Sequence, residues 1–382
     1  MKIVIAPDSF KESLSAKQVC QCVEAGFSQV FPDAQYVHLP LADGGEGTVD
    51  VLMQGLDGNY QRQPVTNPMN ESTEAQWALL DDGKTALIEF AAASGLDLIE
   101  PEQRNPATAT SYGTGELIKA ALDHGVDKIL LGLGGSATND GGAGIVQALG
   151  GKLLDSDGNE LAWGALPLSQ LATLDLSEVH PRCSQVEFVL ACDVNNPLIG
   201  ENGASYIFGA QKGASQSLIL QLDQALNQFG LIAEQQTGID RRHQAGFGAA
   251  GGAALGLSLL FDINIKAGIE MVLDTLDADS VLKNADLLLT GEGQMDNQTL
   301  QGKTPFGIAQ RAKAQGIPVI GIAGSLGQEI DELYSVIDSS FGTVRSPQSL
   351  NQVLAEAGNN LTRTARNIAM TLQIGAQILG EK

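Results

Sequence analysis

Short apolar runs that break directly into glycine-bearing polar loops recur along this chain, and they confine it to an α/β architecture. A strand buried on both faces reads as a continuous apolar run, and glycine at its end lets backbone come close to a ligand. The 382 residues include 45 glycines, clustered in such loops. IVIAPD at 3–8 reads as a buried parallel strand. Ser15 and Gln18 then form a capping-box pattern, and Val19, Val23, Phe27 and Val30 recur at helical spacing until Phe31-Pro32 ends the helix. YVHLPLA at 36–42 is a second strand, so residues 1–42 make one βαβ unit. LLLTG at 287–291, VIGIAG at 319–324 and SVIDSSFG near 335–342 are further strands, with helices expected over about 304–315 and 347–378. Five parallel strands with crossover helices predict a doubly wound parallel-sheet domain built from both chain ends.

The middle reads differently. WALLDDGKTALIEF at 77–90 places Asp82-Gly83 between two strand-like runs, the signal of an antiparallel hairpin. A helix near 114–124 and the strands KILLGLG at 128–134 and VEFVLAC at 186–192 follow. Residues 67–275 are therefore expected to form a mixed-sheet α/β domain inserted into a first domain of residues 1–66 plus 276–382. Within it, residues 245–261 carry five glycines and no charged residue, and fall short of a membrane span. A buried helix is expected there.

Charge and cysteine usage exclude several classes. A net charge of −23 opposes nucleic-acid or anionic-membrane binding, since both need clustered Lys and Arg. Four cysteines in a chain of this size make no disulfide framework; Cys20 and Cys22 are too close for CxxC and belong on a helix. None of the four histidines forms a pair at zinc-site spacing. The apolar run in MKIVIAPD is too short for a signal peptide, so a cytoplasmic location is expected. The sequence leaves the oligomeric state open between monomer and homodimer.

Six loops carry the polar chemistry: DSFKES (8–13), ADGGEGT (42–48), SYGTGE (111–116), GLGGSATNDGGAG (132–144), ACDVNNP (191–197) and GEGQMDNQT (291–299). In parallel α/β sheets ligands lie beyond the carboxyl ends of strands, so their number points to a shared active site. The stretch 286–305 nearly spells a P-loop: Gly302-Lys303-Thr304 is present, but Asn297 occupies the place of the first glycine. In 132–144, Gly132, Gly134 and Ala137 fit a dinucleotide fingerprint with Asp155 following, which is the case for an NAD-dependent dehydrogenase of a small hydroxy acid. The same loop resembles the phosphate loop of small-molecule kinases, where backbone N–H groups hold an anion.

Phosphoryl transfer to an alcohol needs a carboxylate to take the hydroxyl proton, carboxylates for Mg²⁺ and donors for the phosphoryl oxygens. Asp193, followed by Asn195 and Asn196, is the candidate base; Glu292 and Asp296 are candidate metal carboxylates. Asp43 and Glu46 flank two glycines. Cations are scarce in these loops, and Lys11, Arg104, Lys212 and Lys303 are the main candidates.

Together, APDSFKESLSA (6–16), PLADGGEGT (40–48), RNPATATSYGTGEL (104–117), GLGGSATNDGGAG (132–144), ACDVNNPLIGENGA (191–204), FGAQKGA (208–214) and LLTGEGQMDNQTLQGKTP (288–305) resemble the bacterial type-1 glycerate kinase family. The resemblance spans nearly the whole chain in order. It implies ATP- and Mg²⁺-dependent phosphorylation of D-glycerate, giving 2-phosphoglycerate or otherwise 3-phosphoglycerate. It also implies a Rossmann-like domain interrupted by a second α/β domain, with the active site in the cleft between them. On that footing Lys11 and Arg104 are expected to hold the glycerate carboxylate, with Ser9, Asp43, Glu46, Asn195 and Asn196 also toward substrate. Asp193 is expected to take the hydroxyl proton. Gly134, Gly135, Ser136, Asn139, Asp140 and Lys303 would cradle the ATP phosphates, and Glu292 and Asp296 would position Mg²⁺. The alternatives left open are the NAD enzyme and a non-catalytic sugar-acid-binding sensor.

Overall fold

The structure is a computed structural model that describes residues 1–42, 48–80, 82–300, 303–328 and 330–380. The chain divides into two compact units: Met1–Asp43 with Asp50–Leu56 and Ile269–Lys382, and Gly44–Val49 with Asp57–Gly268.

The first unit is built on a parallel sheet whose strands, among the described residues, run in the order Ser339–Gly342, Val319–Ala323, Leu287–Thr290, Lys2–Ile5, Gln35–His38. Numbered along the chain this is 2-1-3-4-5, a doubly wound order whose direction reverses between Lys2–Ile5 and Leu287–Thr290. The helix Ala16–Phe27 starts at the expected capping box: Gln18 N–H donates to Ser15 Oγ and Ser15 N–H to Gln18 Oε1, satisfying two donors that a helix start leaves open. Its apolar stripe, Val19, Cys20, Val23 and Phe27, packs in one core with Ile3, Ile5 and Leu361, Ala365 and Ile368 of the long helix Ala357–Leu379. The single helix expected over 347–378 is two, Leu350–Ala355 and Ala357–Leu379, divided at Glu356; Ser349 and Gln352 give the shorter one its own capping box.

The second unit carries a mixed sheet. Ile263–Lys266, Glu187–Ala191, Lys128–Gly132 and Thr85–Glu89 run parallel, and Ser72–Leu80 and Gly58–Thr66 extend it antiparallel. The expected hairpin is present at Asp82-Gly83: Asp82 Oδ1 accepts from the N–H groups of Lys84 and Thr85, and Gly83 has a left-handed φ of 65°. The sequence places residues 58–66 in the first unit. In the structure they pair along their length with Ser72–Leu80. Their alternation is mostly of half-exposed polar residues, which carries no strong strand signal.

Residues 245–261 are largely buried but are not the single helix expected. A short 3₁₀ turn, Ala249–Gly252, precedes a helix limited to Ala253–Ser258, and Gly246, Ala250, Gly251 and Gly252 have left-handed φ. Close packing explains the glycines: a Cβ on Gly251 would lie 2.0 Å from the Thr138 carbonyl oxygen. The irregular backbone satisfies itself on two chemistry-bearing loops, with Gly141 N–H donating to Gly251 O and Gly248 N–H to Asn196 O. No helix among the described residues is long and apolar enough to cross a membrane.

Candidate active site

Each unit holds one constellation at the carboxyl ends of its parallel strands. In the first, the strand reversal splays apart the loops after Lys2–Ile5 and Leu287–Thr290. Thr290 Oγ1 donates to Ala6 O and Asp8 N–H to Gly291 O, both at 2.8 Å, fixing the two loops together at their roots. Beyond them lies a cavity of about 630 Å³. Ser9, Lys11, Glu292 and Lys303 line it as polar groups, and Val344, Leu350 and Leu354 form part of its apolar side.

Asp8 is the residue the sequence left without a role. Its carboxylate accepts from Ser9 N–H at 2.6 Å and from the Thr304 hydroxyl at 2.8 Å, and it also lines the cavity. The Gly-Lys-Thr fragment of the near P-loop thus uses its threonine to hold a carboxylate, while Lys303 stands at the N-cap position of the helix Thr304–Ala314 without a side-chain bond to it. Glu292 accepts from Thr299 Oγ1 at 2.7 Å and has Lys303 Nζ at 3.9 Å. Burial pushes its carboxyl above the usual range, and the charges of Asp8 and Asp296 push the same way against Thr299 and Lys303. The Asp296 carboxylate accepts from Gln294 Nε2 at 3.1 Å, and its backbone carbonyl accepts from Thr299 N–H at 2.9 Å. Lys11 is exposed on a tight turn closed by Phe10 and Leu14, and its neighbour Glu12 is held at a left-handed φ of 63°. Such a φ on a non-glycine residue is strained and is found often at ligand-binding turns.

The second constellation surrounds a smaller pocket, about 220 Å³, at the ends of Lys128–Gly132 and Glu187–Ala191. Gly134, Gly135, Ser136, Asp193 and Lys212 line it. Asp193 is exposed, and its Oδ1 accepts from Gly268 N–H at 2.8 Å. Lys212 is 2% exposed; its ammonium donates to Ser136 Oγ at 3.0 Å and Thr138 O at 2.7 Å. Burial drives its pKa down to about 7, against the opposing pull of Asp140.

Other expected residues sit elsewhere. Asp140 is wholly buried and accepts from Ser111 N–H, Ser111 Oγ, Gly142 N–H and Gly144 N–H, so it organises the 132–144 loop from within. Burial raises its carboxyl, and these donors pull it back. Asn139 is equally buried and donates to Ser205 Oγ. Asn196 braces its own loop through Asn202 O, Asn195 is exposed, and Arg104 donates to Gln211 O. None of these five lines either cavity. Asp43 and Glu46 lie outside the described residues.

The dinucleotide alternative loses its structural premise. It requires Asp155 at the end of a parallel strand beside Lys128–Gly132. Instead Asp155 follows Lys152–Leu154, which pairs antiparallel with Thr173–Asp175 in a separate small sheet, and its carboxylate closes an exposed turn on Asp157 and Asn159.

Similarity to known proteins agrees with the loops. The model of the glycerate kinase family matches residues 3–373. The chain belongs to the glycerate kinase family. A glycerate kinase of Haemophilus influenzae is 51% identical over 97% of this chain and 99% of its own length. The glycerate 2-kinase of Escherichia coli is 47% identical over 100% of both chains. A crystal structure from Salmonella typhimurium LT2, provisionally named glycerate kinase 2, superposes with a TM-score of 0.91 at 47% identity over 99% of both chains. Every loop that carries a glycerate kinase motif here, apart from the undescribed residues 43–47 and 301–302, now has a place in one unit or the other.

The Lys212 pKa makes a prediction for the fold. Its folded value lies below its unfolded one, so between pH 7 and about 10.4 the unfolded chain binds the extra proton and stability rises with pH. Lys212→Met removes that dependence. The melting temperature of the parent, relative to Lys212→Met, is expected to climb across that window; a flat difference would show that Lys212 titrates normally.

Proposed function

We propose that this chain transfers the γ-phosphoryl group of ATP to a hydroxyl of D-glycerate, with the 2-hydroxyl as the acceptor. The observation that carries the reading is near-full-length identity of 47–51% to glycerate kinases, one of them named a 2-kinase. A cavity at a strand reversal, walled by carboxylates and lysines, supports it physically.

In this reading the glycerate hydroxyl oxygen bonds to the γ-phosphorus, the bond from that phosphorus to the β-phosphate oxygen breaks, and ADP leaves. Asp193 accepts the hydroxyl proton. The family resemblance implies phosphates on the 132–144 loop and Lys303, and the glycerate carboxylate on Lys11 and Arg104. Cavity size and the company of Asp193 favour the larger cavity for the phosphates, where Lys303 keeps that role and Lys11 joins it as a donor toward phosphate oxygens.

A divalent metal fits the same place. Among the described residues no group of three or more Asp, Glu, His or Cys gathers as a metal cage. Mg²⁺ needs none, because it binds through one or two carboxylates with substrate phosphates and water completing its shell. Glu292 with Asp8 or Asp296 supplies the hard oxygen donors. When bound, the metal would neutralise charge on the β- and γ-phosphate oxygens. The cytoplasm, where ATP is abundant, is the location this activity requires.

The test is ADP release coupled to a reporter, with D-glycerate and ATP–Mg²⁺, followed by NMR of the product. A phosphorus–hydrogen coupling to the C2 proton is expected; no glycerate-dependent ADP would sink the reading. Glu292→Gln is expected to raise the Mg²⁺ concentration for half-maximal turnover by about tenfold or more, and an unchanged Mg²⁺ curve would remove Glu292 from that role.

A further inference from the structure

We propose that the pocket beside Lys212 binds the carboxylate of the small hydroxy-acid acceptor, with the Lys212 ammonium as its counter-charge. This rests on the phosphoryl-transfer reading and assigns its acceptor a place. Size sorts the two cavities. Pockets for drug-sized ligands run from about 300 to 1,000 Å³; the cavity of about 630 Å³ falls in that range and the pocket of about 220 Å³ falls below it. The smaller one suits a hydroxy acid better than a nucleotide.

Charge then selects an anion. An ammonium has three donors, and Lys212 uses two, on Ser136 Oγ and Thr138 O. Both partners are neutral, and a buried cation held only by neutral acceptors is under-compensated. Asp140 lends attraction from behind, but its carboxylate oxygens already serve four donors and it does not line the pocket. An oxyanion entering the pocket would meet the third N–H and complete the pair. Leu96, Leu133, Val194 and Phe208 on the wall lower the local dielectric and strengthen that attraction. Burial has also pushed Lys212 down to about 7, which is what an ammonium awaiting its counter-charge should show. Asp193 on the same wall repels a carboxylate from its own side, so an acid that seats its carboxylate on Lys212 presents its hydroxyl end to Asp193.

The experiment uses the full chain. Thermal shift is measured with D-glycerate alone and with ADP–Mg²⁺ alone, for the parent and for Lys212→Met, alongside steady-state kinetics. Lys212→Met is expected to abolish the glycerate shift and keep the ADP shift. The KM for glycerate should rise about 10- to 100-fold, the worth of a charged hydrogen bond, and that for ATP should stay within about twofold. A glycerate shift at parental concentrations overturns the proposal. So does a loss falling on ADP–Mg²⁺, which would make this a phosphate site. If Lys212→Met does not fold, Cys192→Leu, which fills the pocket from its wall, is read by the same two outcomes. A parent that binds glycerate but releases no ADP fails the kinase reading while the shift still decides this one.

Discussion

Asp193→Asn is expected to lower kcat by about 10²- to 10⁴-fold, the usual worth of a positioned general base, with little change in melting temperature. The substitution separates proton acceptance from structure. Asp193 Oδ1 accepts from Gly268 N–H at 2.8 Å, and the amide oxygen of asparagine can accept the same bond. The loop after Glu187–Ala191 therefore keeps its tie, while the group loses the basicity that takes a hydroxyl proton. KM for glycerate should move far less than kcat, because the lost interaction develops only as the hydroxyl attacks. A variant that folds and turns over at near-parental kcat would remove Asp193 from the role of base. A matched fall in melting temperature and kcat would make its role structural.

Gly291→Ala is expected to be the most damaging single-methyl change in the first unit. Gly291 follows the strand Leu287–Thr290 and precedes Glu292, and a Cβ there would lie 1.8 Å from the Ile322 carbonyl oxygen on the neighbouring strand. No side-chain rotation relieves a clash between two backbones, so the strands must part. Forced overpacking of this kind costs about 3 kcal/mol or more, which for a unit of this size lowers its melting temperature by about 6–12 °C. Movement of the strand also carries Glu292 away from Thr299, so activity should fall even below the melting range. Gly293→Ala is the control, because its Cβ would meet nothing closer than Lys11 N at 3.6 Å, an ordinary contact. Calorimetry of the two variants decides; equal stability would mean that Gly291 is not held by this packing.

How far the sequence could be read depends on the kind of signal. The three central strands of the first unit, Lys2–Ile5, Leu287–Thr290 and Val319–Ala323, were legible because each is a short apolar run ending in glycine or a polar turn, and the helix Ala16–Phe27 because its capping box and its stripe agree. The strand Gly58–Thr66 was not, since its residues alternate without a strongly apolar face. The segment 245–261 misled because continuous apolarity without charge has the same look in a helix and in a packed irregular backbone, and only the carbonyl of Thr138 reveals why Gly251 must be glycine.

The site divides along the same line. Glu292 and Lys303 could be singled out from sequence because they sit among glycines in a polar loop that follows a strand, and Asp193 because it follows a strand and precedes Asn195 and Asn196. Asp140 looked equivalent, yet its carboxylate spends itself on the backbone of its own loop. Lys212 had the opposite fate. In FGAQKGA it is one lysine in a helical turn, and nothing local says that it is buried or that it reaches Ser136, 76 residues away in sequence. Asp8 likewise gains its meaning from Thr304, 296 residues away.

By itself, then, the sequence determined the α/β class, the parallel strands, the loops that carry chemistry and the family, because these rest on local periodicity and on motifs contiguous in the chain. Only the tertiary structure decided which polar residues face a cavity and which brace a loop. It also decided the strand order that opens the larger cavity and the burial that unsettles Lys212. Those properties depend on what packs around a residue from distant parts of the chain, and burial and charge pairing leave no local trace.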